Sequence, residues 1–240
     1  MRIFCFLVLL ASVSVVRAES FSADILENSP SKKLLFKFTR AEKDHHVVRT
    51  YVDPQGVRAA LEELDYDGDV LKKATLVQDQ LGQKGSITVS NGRINFEYTK
   101  DGVTKKANLE LESNFIVTDQ VYPFVLKNWG ALMKGDSLTV RLGVMDRLET
   151  VGFKFFKEND ETVDGKPMTI IKMKPTSFLI ATVVHPILFY FEKDDAHRLD
   201  KVVGRTLPKI KTSGGKWADL EAILKFYPLA VSEKKESTDH

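Results

Sequence analysis

The stretch SITVSNGRINFEYTKDGVTKKANLELE, residues 86–112, decides the fold. Asn91-Gly92 and Asp101-Gly102 readily take the positive φ angles of tight hairpin turns, and runs of alternating apolar and polar residues flank both. Period-two alternation puts successive side chains on opposite faces of a strand. The stretch therefore reads as three antiparallel strands joined by two turns. The same signal recurs on both sides. Asp67-Gly68 and Asp164-Gly165 mark further turns, LTVRLGVMDRLETVGFKFF (138–156) reads as two strands turning near Asp146, and MTIIKMK (168–174) as the next strand. The predicted fold class is mainly β (α+β): an antiparallel curled sheet or incomplete β-barrel packed with one or two helices.

One segment breaks the period. In DQVYPFVLKNWGALMKG (119–135), Val121, Phe124, Val125, Trp129, Leu132 and Met133 draw a single helical stripe. Thr118 or Asp119 supplies its cap, or Pro123 opens it a turn later, and Gly135 ends it. Trp129 reads as the anchor of this helix. A shorter helix is expected over residues 177–184. WADLEAILKF (217–226) fits either period, and its alternation of Ala218, Leu220, Ala222, Leu224 and Phe226 favours a strand.

In HPILFYFEKDDAHRLDKVVG (185–204), two histidines and several acids surround an unbroken apolar run. With residues 194–197 as a hairpin turn, Phe189 lies opposite Val202 and Leu188 opposite Val203. His185 and His197 are then about 30 Å apart, too far to share a metal. Asp194, Asp195 and His197 are expected to form a solvated tip. Ile187, Phe189 and Phe191 face one side of the strand and Leu188 and Tyr190 the other, so cover is expected on both faces. The interior beneath is either an ordinary packed core or a space open to an apolar ligand, which Trp129, Phe189 and Phe191 would line.

The chain begins MRIFCFLVLLASVSVVRA: basic Arg2, an apolar run over residues 3–16, and small residues Val16 and Ala18 before Glu19. That is the pattern of a secretory signal peptide cleaved after Ala18, and the run is shorter than the roughly 20 residues a spanning helix needs. The expected organisation is signal peptide 1–18, flexible segment 19–31, one β-rich domain over 32–231 and a disordered tail over 232–240. Cleavage removes Cys5, the sole cysteine, together with Arg2 and Arg17, and leaves 33 basic against 33 acidic residues. A cysteine-free exported chain must hold its fold through its own core, which fits a periplasmic location. A neutral chain has no bulk electrostatic case for nucleic acid. The stretch TLPKIKTSGGK (206–216) reads as a flexible loop or crossover.

Motifs that carry chemistry are missing. Adjacent His45 and His46 point to opposite faces of a strand and cannot chelate together. Asp65, Asp67 and Asp69 resemble a calcium loop, but the twelfth position is Leu76 and the sixth is not glycine. No nucleophile elbow, phosphate-binding glycine loop or HExxH pair occurs. No catalytic residue, metal ligand or cofactor is expected, and an enzyme is the least favoured class.

KNWGALMKGDSLTVRLGVMDRLETVGFKF (127–155) and MKPTSFLIATVVHPILFYFEKDDAHRL (173–199) resemble a widespread, uncharacterised family of exported proteobacterial proteins, over residues 47–226. That resemblance implies a fold and transfers no functional residue. In architecture the arrangement is similar to LolA-like periplasmic half-barrels, which implies a curved sheet with helices holding acyl chains. Two functions follow as expectations. The first is a non-catalytic periplasmic protein that binds an apolar or lipid-like ligand inside the sheet. The second is a structural or assembly factor of the cell envelope acting through a protein partner.

Overall fold

The computed structural model describes residues 20–228. The expected signal peptide over 1–18 and the expected tail over 232–240 lie outside the described residues. Among the described residues, alternating sequence becomes fifteen strands. The first five are β1 (Phe21–Glu27), β2 (Leu34–Lys43), β3 (His46–Val52), β4 (Arg58–Asp67) and β5 (Val70–Gln78). The next five are β6 (Gln83–Ser90), β7 (Arg93–Lys100), β8 (Val103–Glu110), β9 (Phe115–Ile116) and β10 (Leu138–Val144). The last five are β11 (Glu149–Val163), β12 (Lys166–Pro175), β13 (Ile187–Glu192), β14 (Leu199–Lys211) and β15 (Trp217–Pro228). They form one sheet in the order β8-β7-β6-β5-β4-β3-β2-β1-β15-β14-β13-β12-β11-β10-β9, a curled sheet whose edges β8 and β9 do not pair.

The turn dipeptides act as read. Asn91-Gly92, Asp101-Gly102 and Asp164-Gly165 all have positive φ at both positions, as a two-residue type I′ hairpin turn requires. Asp67 instead closes β4, and the turn falls one residue later, with Gly68 at φ 58°. At the β13–β14 hairpin Leu188 pairs with Val203 and Phe189 with Val202, as the hairpin reading requires. WADLEAILKF is a strand, within β15.

Several expectations need correction. Residues 21–27 of the supposed flexible segment form β1, which pairs along its length with β2 and β15 and buries Ala23 and Ile25. The segment FSADILE is short and its apolar residues carry no turn signal of their own, so two neighbouring strands supply the order. The stretch 206–216 is mostly strand: β14 continues to Lys211 through a bulge between Thr206 and Lys209, and only 212–216 turns. The first helix divides at Asn128 into α1 (Val121–Lys127) and α2 (Trp129–Met133), because Asn128 leaves helical geometry and its amide bonds back to the Phe124 carbonyl. The second helix is a single turn, α3 (Phe178–Ala181). One pairing is parallel, β9 with β10, so the segment from 117 to 137 that carries α1 and α2 is a crossover.

Alternation of strand direction sorts the connections into two ends. At one end lie the turns 44–45, 68–69, 91–92, 164–165 and 193–198, beside α1 and α2; this is the helix end. At the other, the α3 end, lie 28–33, 53–57, 79–82, 101–102, 145–148, 176–186 and 212–216. Opposite walls meet inside the curl. A Cβ on Gly143 of β10 would stand 3.0 Å from Ile87 of β6, and the Gln78 and Gln80 amides donate to the carbonyls of Leu207 and Lys209 on β14 at 3.2 and 2.9 Å. The interior is filled by three apolar clusters, the largest built from α1, α2 and β10–β14 around Phe155 and Phe191.

Candidate functional site

Four places answer to the residues singled out by sequence or by burial. The first is the foreseen apolar lining. Phe191 is fully buried, with Trp129 edge-on at 5.2 Å and Tyr122 stacked at 6.1 Å. Phe189 is 7 % exposed and faces the ring of Phe155 at 6.2 Å. Trp129, Phe189 and Phe191 thus come together, in ring-to-ring contact typical of a close-packed core. The opposite face of β13 is not covered as expected: Leu188 and Tyr190 are half-buried, and the Lys201 ammonium lies 4.0 Å over the Tyr190 ring. Lysine stems can cover an apolar strand face without a second layer of protein.

The second is the acidic hairpin. His185 and His197 stand at opposite ends of β13. His197 does not sit on a solvated tip: it has φ 47°, and its ring stacks on Trp129 at 4.2 Å and 18°. Asp194 instead pairs with Arg198 at 2.8 Å, and Arg198 with Glu192 at 2.7 Å. The turn is thereby folded back onto α2. Among the described residues no three His, Cys, Asp or Glu side chains converge as metal ligands.

The third was not foreseen. Arg40 of β2 grips Asp119 through two hydrogen bonds of 2.7 and 3.0 Å, and Tyr66 of β4 donates to the same carboxylate at 3.1 Å. Arg49 of β3 pairs with Glu62 at 2.7 Å and donates to the Tyr51 hydroxyl at 3.0 Å. The Arg40 and Asp119 side chains are 4 % and 5 % exposed. Asp119, read from sequence as a helix cap, makes no capping bond; its carboxylate ties the start of the crossover to the opposite wall. Burial opposes ionisation of Asp119, but the Arg40 hydrogen bond and the charges of Arg49 and Arg40 outweigh it and hold the carboxyl below its usual range. Burial pushes Glu62 the other way, with Arg49 resisting only in part. Burial also raises the hydroxyls of Tyr51 and Tyr66 far above their ordinary range, so both remain donors. The set is matched in charge, Arg40 and Arg49 against Asp119 and Glu62, although Arg49 Nη1 meets Glu62 only as an ion pair without hydrogen-bond geometry; this suits a structural tie. One signal was legible: Phe36, Phe38 and Arg40 share one strand face, as do Val47, Arg49 and Tyr51.

The fourth is the α3 end. Phe178, Leu179 and Val183 are 82 %, 77 % and 65 % exposed, while Ile180 and Val184 of the same turn pack on the core. The neighbouring β14–β15 hairpin exposes Ile210 and Trp217. Of nine large apolar side chains exposed among the described residues, seven lie at this end, the exceptions being Val70 and Tyr227. The sequence signal was an apolar run, SFLIATVV, longer than one buried helical face can use. Two open surface hollows occur, one of about 520 Å³ beside Ser86, Asn95, Phe96, Glu97 and Asn108 of β6–β8, and a more polar one of about 450 Å³ beside Gln80, Lys100, Lys209 and Asp219.

No family model and no curated protein matches the chain. Among solved structures it is similar to a β-barrel-like protein of a domain of unknown function, DUF1849, from Brucella abortus: 7 % identity, 88 % of this chain and 97 % of that one, TM-score 0.46. It is also similar to a DUF1329 family protein from Desulfovibrio piger, at 14 % identity over 87 % of this chain and 83 % of that one, TM-score 0.26. A putative outer membrane lipoprotein-sorting protein domain from Vibrio parahaemolyticus shares 11 % identity over 88 % of this chain and 84 % of that one, TM-score 0.23. Likenesses this distant carry no functional argument.

Proposed function

We propose that the chain is an exported, non-catalytic protein of the cell envelope that acts by docking through its α3 end, with the interior of the sheet serving as structural core. Export rests on the basic start, apolar run and small residues before Glu19. The observation that carries the docking reading is the exposure of Phe178 and Leu179, 82 % and 77 %, on one turn of helix that packs on the core through the half-buried Ile180. Solvent-facing phenylalanine and leucine side by side cost solubility and contribute nothing to the core, so their use lies in a contact. The ring contacts of Trp129, Phe189 and Phe191 support the packed-core alternative over the ligand lining. The test is a photo-crosslinking residue placed at Phe178 and, as control, at Val70, which is also exposed but at the helix end. In living cells an adduct, protein or lipid, is expected from position 178 and not from 70. Equal yields from both positions, or none from either, would overturn the docking reading.

A further inference from the structure

Two neighbouring tips make up the apolar part of the α3 end. Arg205 of β14 donates to the Val183 carbonyl at 3.1 Å, which holds the α3 connection beside the β14–β15 hairpin. One tip presents Phe178, Leu179 and Val183; the other presents Ile210 and Trp217, with the Lys211 ammonium 5.0 Å over the indole. Cations surround them. The ammonium groups of Lys154 and Lys174, on the outward face of β11 and β12, lie 5.8 and 5.4 Å over the Phe156 ring and, among the described residues, pair with no carboxylate. Asp219 is engaged by Arg205 and Lys209 and Glu221 by Arg205, while Asp101 shares a hollow with Trp217 and Lys100.

We infer that this end binds the surface of an anionic phospholipid bilayer, with Phe178 and Leu179 entering the acyl boundary. This rests on the docking reading and names its partner. The chemistry fits at each depth. Apolar side chains projecting from short turns bury their area in the acyl region. A tryptophan with one exposed edge belongs at the headgroup level. Lysine ammonium groups that lie over aromatic rings and pair with no carboxylate among the described residues can still meet lipid phosphate. A protein partner is the rival occupant, and the experiment separates the two.

The test is flotation of protein purified from its own host with vesicles of phosphatidylcholine alone, or with one part in four phosphatidylglycerol. Wild type should bind the mixed vesicles more tightly, and added salt should weaken that preference. Phe178→Ser with Leu179→Ser should lose at least about tenfold on both vesicles, since it removes most of the inserted area. Lys154→Glu with Lys174→Glu should lose about tenfold on the mixed vesicles only. Unchanged melting temperatures would show that each variant folds. No flotation of wild type, or equal flotation of wild type and the serine variant, overturns the lipid inference. So does full binding by the glutamate variant. If flotation fails while the residue at 178 still crosslinks to protein, the docking reading stands and its partner is a protein. If both fail, both fall.

Discussion

The Arg40–Asp119–Arg49–Glu62 set and the α3 end are opposites, and each inverts the usual rule for its place. One puts four charges inside the sheet; the other puts phenylalanine and leucine in water. The inner inversion is satisfied, because every charge meets an opposite charge or a hydroxyl at hydrogen-bond distance. The outer one is unsatisfied, because nothing among the described residues covers the tips. A satisfied inversion is a matter of stability; an unsatisfied one is a matter of contact. Substitutions should therefore separate the two regions cleanly.

The largest effect is expected from Asp119→Ala. It leaves Arg40 buried without its bidentate partner, and losing one member of a buried pair costs about 3–5 kcal/mol. Urea denaturation measures this; a loss within the range of exposed ion pairs would show that water enters the set. Phe189→Ala should cost a similar amount, about 3–5 kcal/mol, as for any buried ring. A clearly smaller loss, together with uptake of a fluorescent fatty acid by wild type, would turn the core back into a ligand cavity.

The pH dependence sharpens the same comparison. Asp119 has a folded pKa below its unfolded one, so its contribution is present above the ordinary carboxylate range and is lost as pH falls through the folded value. Glu62 is raised, so the folded state takes up that proton first and Glu62 partly offsets the acid loss. Glu62→Gln should make acid unfolding steeper, and Asp119→Asn should flatten it. The reverse order, followed by tryptophan fluorescence against pH, would show that the two roles are exchanged.

Smaller effects are expected towards the surface. His197→Ala removes the ring stacked on Trp129 and should cost about 0.5–1.5 kcal/mol, whereas Asp195→Gly in the same turn should stay within about 0.5 kcal/mol. Equal effects of both would return the hairpin to a solvated tip. The smallest change in stability belongs to Phe178→Ser with Leu179→Ser, within about 0.5 kcal/mol in thermal unfolding, because neither side chain is buried. A core-sized loss there would mean that α3 belongs to the fold rather than to a contact.

Local physics was legible in the chain. Turn dipeptides that tolerate positive φ, and alternation with period two, set the hairpins from β6 to β8 and the pairing of Phe189 with Val202. These depend on residues a few positions apart, so one sequence carries both halves of each interaction. The helical stripe around Trp129 was legible for the same reason. Only the tertiary structure decided that residues 21–27 form a central strand, since their order comes from β2 and from β15, about 200 positions away. It alone joined Arg40 to Asp119, 79 positions along the chain, and turned a candidate cap into a cross-wall tie. It alone gathered seven exposed apolar side chains at one end, because strand alternation assigns each connection to an end only once the sheet order is known. Contacts that close long loops leave their mark on each partner separately, as an arginine on an apolar face or an apolar run without a polar side; the pairing itself exists only in three dimensions.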